Sequence, residues 1–150
     1  MSDSTEETKE HIRRVSAYLG QCYERLRQRA FDHDRSKLES PEKECFDEVT
    51  RALRGLTYGS PEYRAQLGKL KPALEHHYAN NSHHPEHYPD GVNGMSLLDL
   101  IEMLCDWKAA VERHADGSMK ISLEHNQSRF MIHPQTQAIL ENTAKELRWL

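Results

Sequence analysis

The chain has 150 residues, 37% hydrophobic and 29% charged, with a formal charge of −4. This length supports one domain with a real core, and the balance describes a polar globular protein rather than a disordered one. Scattered lysines and arginines at net negative charge exclude a broad nucleic-acid surface, though not a small basic pocket, and no apolar run approaches the roughly 18 residues of a membrane span.

The opening residues, 1–10, are acidic and polar, unlike a secretory signal, and residues 1–4 are expected to be disordered. The first helix is predicted from about Thr5 to Ala30. Ser4 and Glu7 have capping-box spacing. Ile12, Val15, Leu19, Cys22 and Leu26 form a helical apolar stripe. His11 lies on the edge of that stripe and is expected to point inward. Gly20 weakens the helix slightly and suits close packing. His33-Asp34 follows, with Lys37 three residues beyond the aspartate.

Ser40-Pro41 predicts a second helix start, with Glu42 and Glu44 at its positive end and Gly55 to close it. Tyr58-Gly59-Ser60-Pro61 repeats the signal for a helix to about Lys71, where Pro72 breaks or kinks it. A further segment from Leu74 to about Asn80 carries His76 and His77. Residues 81–93, with two prolines and Gly91, read as an ordered loop holding His83, His84 and His87. Ser96 with Asp99 opens the most apolar helix, expected to run to about His114 and to be central. Asp99, Glu102 and Asp106 share one face of it, and Asp106 is expected to lie deepest. Helices from about Lys120 to Phe130, and from His133-Pro134 onward, complete the chain. No strand alternation appears, so the fold class is all-α: six or seven helices in a single domain over residues 1–150. Cys22, Cys45 and Cys105 form no CxxC pair and read as buried, reduced thiols of a cytoplasmic protein.

Ten histidines, five of them within residues 76–87, turn attention to metal chemistry. His33-Asp34 offers an imidazole nitrogen and a carboxylate side by side. His11, His33, Asp34 and Asp106 are read as one centre with positions left open for water. His76-His77 and His83-His84 offer a second ion or a phosphate contact. Neighbours on a helix point about 100° apart, so at most one of each pair reaches a given ion. His77 and His84 are taken as those ligands. Asp99 and Glu102 are alternatives as ligands, as partners orienting histidine, or in ion pairs. Lys37, Asn81, Asn126 and Arg129 are the candidate substrate contacts. His87 reads as a loop contact, and His114, His125 and His133 as structural.

The order of these residues resembles the HD superfamily of metal-dependent phosphohydrolases, at His11, His33-Asp34, Lys37 and Asp106. Most of the chain is also similar to a small uncharacterised family of phage and bacterial proteins. The shared features are HDxSK (His33 to Lys37), Pro41-Glu42, HHxxxNxHH (His76 to His84), EMxxDW (Glu102 to Trp107) and Asn126. The superfamily resemblance implies an HD-like helical fold and one or two divalent ions (Mn, Co, Zn, Mg or Fe). It also implies hydrolysis of a phosphate ester, often of a nucleotide. The downstream histidine pairs lie closer together than in two-metal members, and the short chain admits a homo-oligomer that completes the site.

The expected activity is therefore attack on phosphorus by a metal-activated water. Asp34, Lys37 and His77 are its catalytic residues. Lys37 neutralises phosphoryl charge, and a histidine of residues 76–84 holds an ion or protonates the leaving oxygen. Two alternatives stand beside it: an HD-type di-iron oxygenase, and a non-catalytic phage factor that binds a nucleotide or host protein around a structural metal. The expected compartment is the cytoplasm, of a bacterial host if the chain is phage-encoded.

Overall fold

The computed structural model describes residues 4–57, 60–113 and 115–150. Within them are seven α-helices and no strand, so the chain is all-α. It divides after His33 into two compact units, and each is described by itself. No described helix is long and apolar enough to cross a membrane. Tyr58 and Gly59 of the expected third-helix signal, His114 and residues 1–3 lie outside the described residues.

The first unit is built on helix α1, Thr5–Asp32. Its polar side carries local ion pairs one helical turn apart, such as Arg14–Glu10 at 2.8 Å and Arg27–Glu24 at 3.0 Å. Ser4 is the N-cap, but its side chain makes no capping bond, so the expected capping box is not formed. No residue of α1 is buried. His11 is exposed, against the expected inward orientation, because the apolar stripe it borders is itself exposed.

The second unit begins at Asp34. A 3-10 turn, Arg35–Leu38, leads to α2 (Glu42–Leu53), α3 (Pro61–Gly68) and α4 (Lys71–Asn80). Pro41 takes the N-cap position of α2 itself, without a side-chain bond. Gly55, at φ +86°, supplies the left-handed turn beyond α2. Ser60 caps α3 by accepting from the Tyr63 amide. Pro72 opens α4 rather than breaking a longer α3. It sits in the first turn, where a missing N–H costs nothing.

Two 3-10 turns, Pro85–His87 and Gly91–Gly94, order the next stretch before α5 (Leu97–Val111). The expected start at Ser96 and Asp99 takes the form of a capping box: the Ser96 hydroxyl accepts from the Asp99 amide, and Asp99 accepts from the Ser96 amide. Helices α6 (Met119–Arg129) and α7 (Pro134–Glu146) follow.

The main core joins the last three helices. Met103, Leu104 and Trp107 of α5 pack with Met119 and Leu123 of α6, Ile132, and Leu140 and Ala144 of α7. Trp107 and Phe130 stack with planes 2° apart. The thiols depart from expectation: all three are free, but Cys22 and Cys105 are exposed and Cys45 is half-buried.

Candidate metal centre

Asp34 starts the site. Its backbone is left-handed, at φ 56° and ψ 15°, a conformation that aspartate tolerates better than most residues. This turn begins the 3-10 segment and presents the carboxylate. The Lys37 ammonium donates to Oδ2 at 2.7 Å. Oδ1 lies 3.2 Å from Nε2 of His77 and 3.5 Å from Nε2 of His83. His84 closes the group, its Nε2 2.9 Å from that of His77. One ligand atom from each of Asp34, His77, His83 and His84 lies within 4.8 Å of all the others. In a tetrahedral zinc site with bonds of about 2.0–2.1 Å, ligand atoms stand about 3.3 Å apart. The measured separations straddle that value, so this donor set fits a divalent ion.

Two glutamates orient the rings. Glu42, wholly buried at the start of α2, lies 2.9 Å from Nδ1 of His77 and 2.7 Å from Nδ1 of His76, and accepts from the Ser36 hydroxyl at 3.0 Å. A carboxylate only accepts, so Nδ1 of His77 donates to Glu42, and Nε2 is the atom turned to Asp34 and to a metal. Glu102 lies 3.1 Å from Nδ1 of His83 and sets that ring in the same way. Histidine backed by carboxylate is the usual support of a metal ligand.

The charges agree. Burial alone would raise the Asp34 carboxyl, but hydrogen bonds from His77, His83 and Lys37 and the lysine charge hold it far below the usual range. Glu42 is lowered too, as hydrogen bonds from His76, Ser36 and His77 outweigh its desolvation. His84 is depressed to about 3, by burial first and then by its histidine neighbours, and so stays neutral. A neutral imidazole beside an ionised carboxylate is the protonation state that metal ligation needs.

The structure brings together Asp34, His77 and His84 of the expected site residues. Only His77 of its pair joins the cluster, while His76 serves Glu42, as a helical pair should. His83 and His84 break the expected one-per-pair rule. They lie in a turn rather than a helix, and both contribute. Asp106 is half-buried, not deepest, with a carboxylate oxygen within 4.8 Å of one of Asp34. The deep carboxylate on α5 is Asp99. It accepts from Ser82, Tyr88 and Ser96, which lowers its pKa to about 2 against the effect of burial. His33 is the C-cap of α1 and ends the first unit, as His11 lies within it.

The expected substrate contacts are mostly engaged within the protein. Asn81 donates to the Ser36 hydroxyl at 2.9 Å and to the His77 carbonyl at 2.8 Å, which locks the end of α4. Asn126 is buried and donates to Ser122. Arg129 pairs with Glu86 at 2.8 Å and lies beside Tyr78, whose ring is 5.0 Å from that of His84. His87 makes its loop contact with the Tyr78 carbonyl, and His133 caps α7. His125 is exposed.

Glu42 and His83 are what sequence reasoning passed over. The first reads as an ordinary acidic residue in a first turn, and only burial distinguishes it. The second falls to a one-per-pair rule that holds on a helix and not in the loop where His83 and His84 lie.

No curated protein and no solved structure matches the chain. A family profile does, over residues 1–146, and its description is a family of unknown function (DUF5662). With nearly its whole length matched, the chain belongs to that family.

Proposed function

We propose that this protein is a metal-dependent phosphohydrolase whose ion is held by Asp34, His77, His83 and His84. The observation that carries the metal reading is the convergence of three imidazole nitrogens on Asp34, with the far nitrogens of His77 and His83 set by Glu42 and Glu102. An ion that prefers six ligands, such as manganese or cobalt, would keep two positions for water and substrate. There it would lower the pKa of the water and polarise a phosphoryl oxygen. With four ligands supplied by Asp34, His77, His83 and His84, the reading requires none of His11, His33 and Asp106, so both positions stay open.

The chain's own residues supply the rest. Lys37 sits on the outer oxygen of Asp34 with its side chain about one-third exposed, and can turn to a phosphoryl oxygen. Arg129, joined through Tyr78 to the His84 ring, brings a second cation beside the cluster. A phosphate monoester is the substrate class these two cations favour. A nucleotide is proposed by resemblance to HD enzymes, and a cytoplasmic setting accords with three free thiols.

A second reading has its own observation. Four protein ligands complete a tetrahedral shell, which is the signature of a structural zinc site. Phosphatase and nucleotidase assays of the manganese-, cobalt- and zinc-loaded protein separate the two. Turnover that is lost in Lys37→Ala, with metal content unchanged, supports hydrolysis. Stoichiometric zinc, unfolding on chelation and no turnover with any ion support the structural site.

A further inference from the structure

We infer that α1 is a self-pairing helix that joins two copies of this chain, parallel and in register, through a two-stranded coiled-coil seam. Ile12, Val15, Leu19, Cys22 and Leu26 recur at alternating intervals of three and four, the a and d positions of a heptad. Thr8 and Thr5 extend the register backward without adding a charge. Between Thr5 and Leu26 every charged residue falls outside the seam. Only Lys9 and Arg25 flank it, and the rest lie on the outer positions, where Arg13, Arg14 and Arg27 pair with Glu10 and Glu24 of the same helix. A solitary surface helix would gain nothing from keeping this line clear of charge.

The seam is also exposed. Ile12 is 59% accessible, Val15 41% and Leu19 65%. Tyr18 and Tyr23, which border it at the flanking positions, are 62% and 64% accessible. A tyrosine buries about 150–250 Å² when covered. Together the seam residues and the two tyrosines offer on the order of 800 Å² per helix, which is what a specific interface takes from each partner. A second α1 is self-complementary to such a surface: its own apolar seam meets the first, and no like charges face each other from Thr5 to Leu26. A stripe of a/d width edged only by Tyr18 and Tyr23 fits one partner helix rather than a sheet or a broad globular face.

The test is sedimentation velocity on the full chain under reducing conditions. The wild type should associate reversibly to a dimer. Leu19→Glu, which loses one buried leucine from each copy, should raise the dimer dissociation constant about a hundredfold or more. Ala17→Glu on the outer face should leave it unchanged. Cys22 sits in the seam and is a free thiol, so mild oxidation of a Cys45→Ser, Cys105→Ser background should yield a covalent dimer. Circular dichroism shows whether Leu19→Glu keeps its helix content. A wild type that stays monomeric at high micromolar concentration overturns the proposal. So does a dimer that survives Leu19→Glu, or one that forms no Cys22 crosslink.

Discussion

Asp34 carries both the turn and the charge of the centre, and the two roles can be separated. Asparagine tolerates the left-handed backbone that Asp34 adopts but lacks the negative charge a cation needs. Asp34→Asn should therefore keep the fold while losing the metal, with circular dichroism reading the first and elemental analysis the second. Glu42→Gln should act more gently. It retains a group that can accept from His77 but removes the charge behind the ring. The expected effect is a loss of about tenfold to a hundredfold in metal affinity, read by competition with a chromogenic chelator. Unchanged affinity would show that Glu42 supports only the fold.

Histidine content and the His33-Asp34 pair made a candidate metal centre legible from the sequence, because few other roles gather so many imidazoles. Its membership was less legible. The one-per-pair rule that leaves out His83 holds on a helix, and in the loop where His83 and His84 lie spacing does not say which rings converge. Glu42 depended on burial, which a first-turn glutamate does not announce.

At the scale of elements, α5 connects the core to the site. One face gives Met103, Leu104 and Trp107 to the core, while Asp99, Glu102 and Asp106 face residues 82–88. The three-and-four spacing of those carboxylates showed the shared face directly. It did not show which would be deepest, because depth depends on where the loop presses. The loop presses on Asp99, through Ser82 and Tyr88. Asp99→Ala should cost about 2 kcal/mol or more, as it removes the α5 cap and the acceptor of the half-buried Ser82 and Tyr88 hydroxyls, measured by urea denaturation. Met103→Ala should cost about 2–5 kcal/mol while leaving metal stoichiometry unchanged, since its face is turned from the ligands. Gly94 sets the close approach of the same loop. A Cβ there would meet the Tyr88 Cβ at 2.8 Å, so alanine at that position should lower the melting temperature.

Over the whole molecule, protonation and metal act on stability together. In the metal-free protein His84 is depressed from 6.5 to about 3. The unfolded chain takes up that proton first, so stability is full above about 6.5 and falls as pH drops toward 3. Asp99, lowered from 3.8 to about 2, adds a loss of the same sign between those values. Melting curves across this range should show a decline that begins near pH 6.5 in the wild type and later in His84→Asn. An ion that binds the folded cluster adds stability in proportion to the logarithm of its concentration over Kd, and protons compete with it for the histidines.

The most direct measurement is the metal content of the purified chain after loading with manganese, cobalt, zinc or iron and removal of excess. Asp34→Asn and His83→Ala are treated in parallel, with helix content followed by circular dichroism. The account predicts about one equivalent in the wild type and a loss in both variants at unchanged helicity. A wild type that retains no ion under any loading, or variants that retain it fully, would contradict the assignment of Asp34, His77, His83 and His84 as a metal centre.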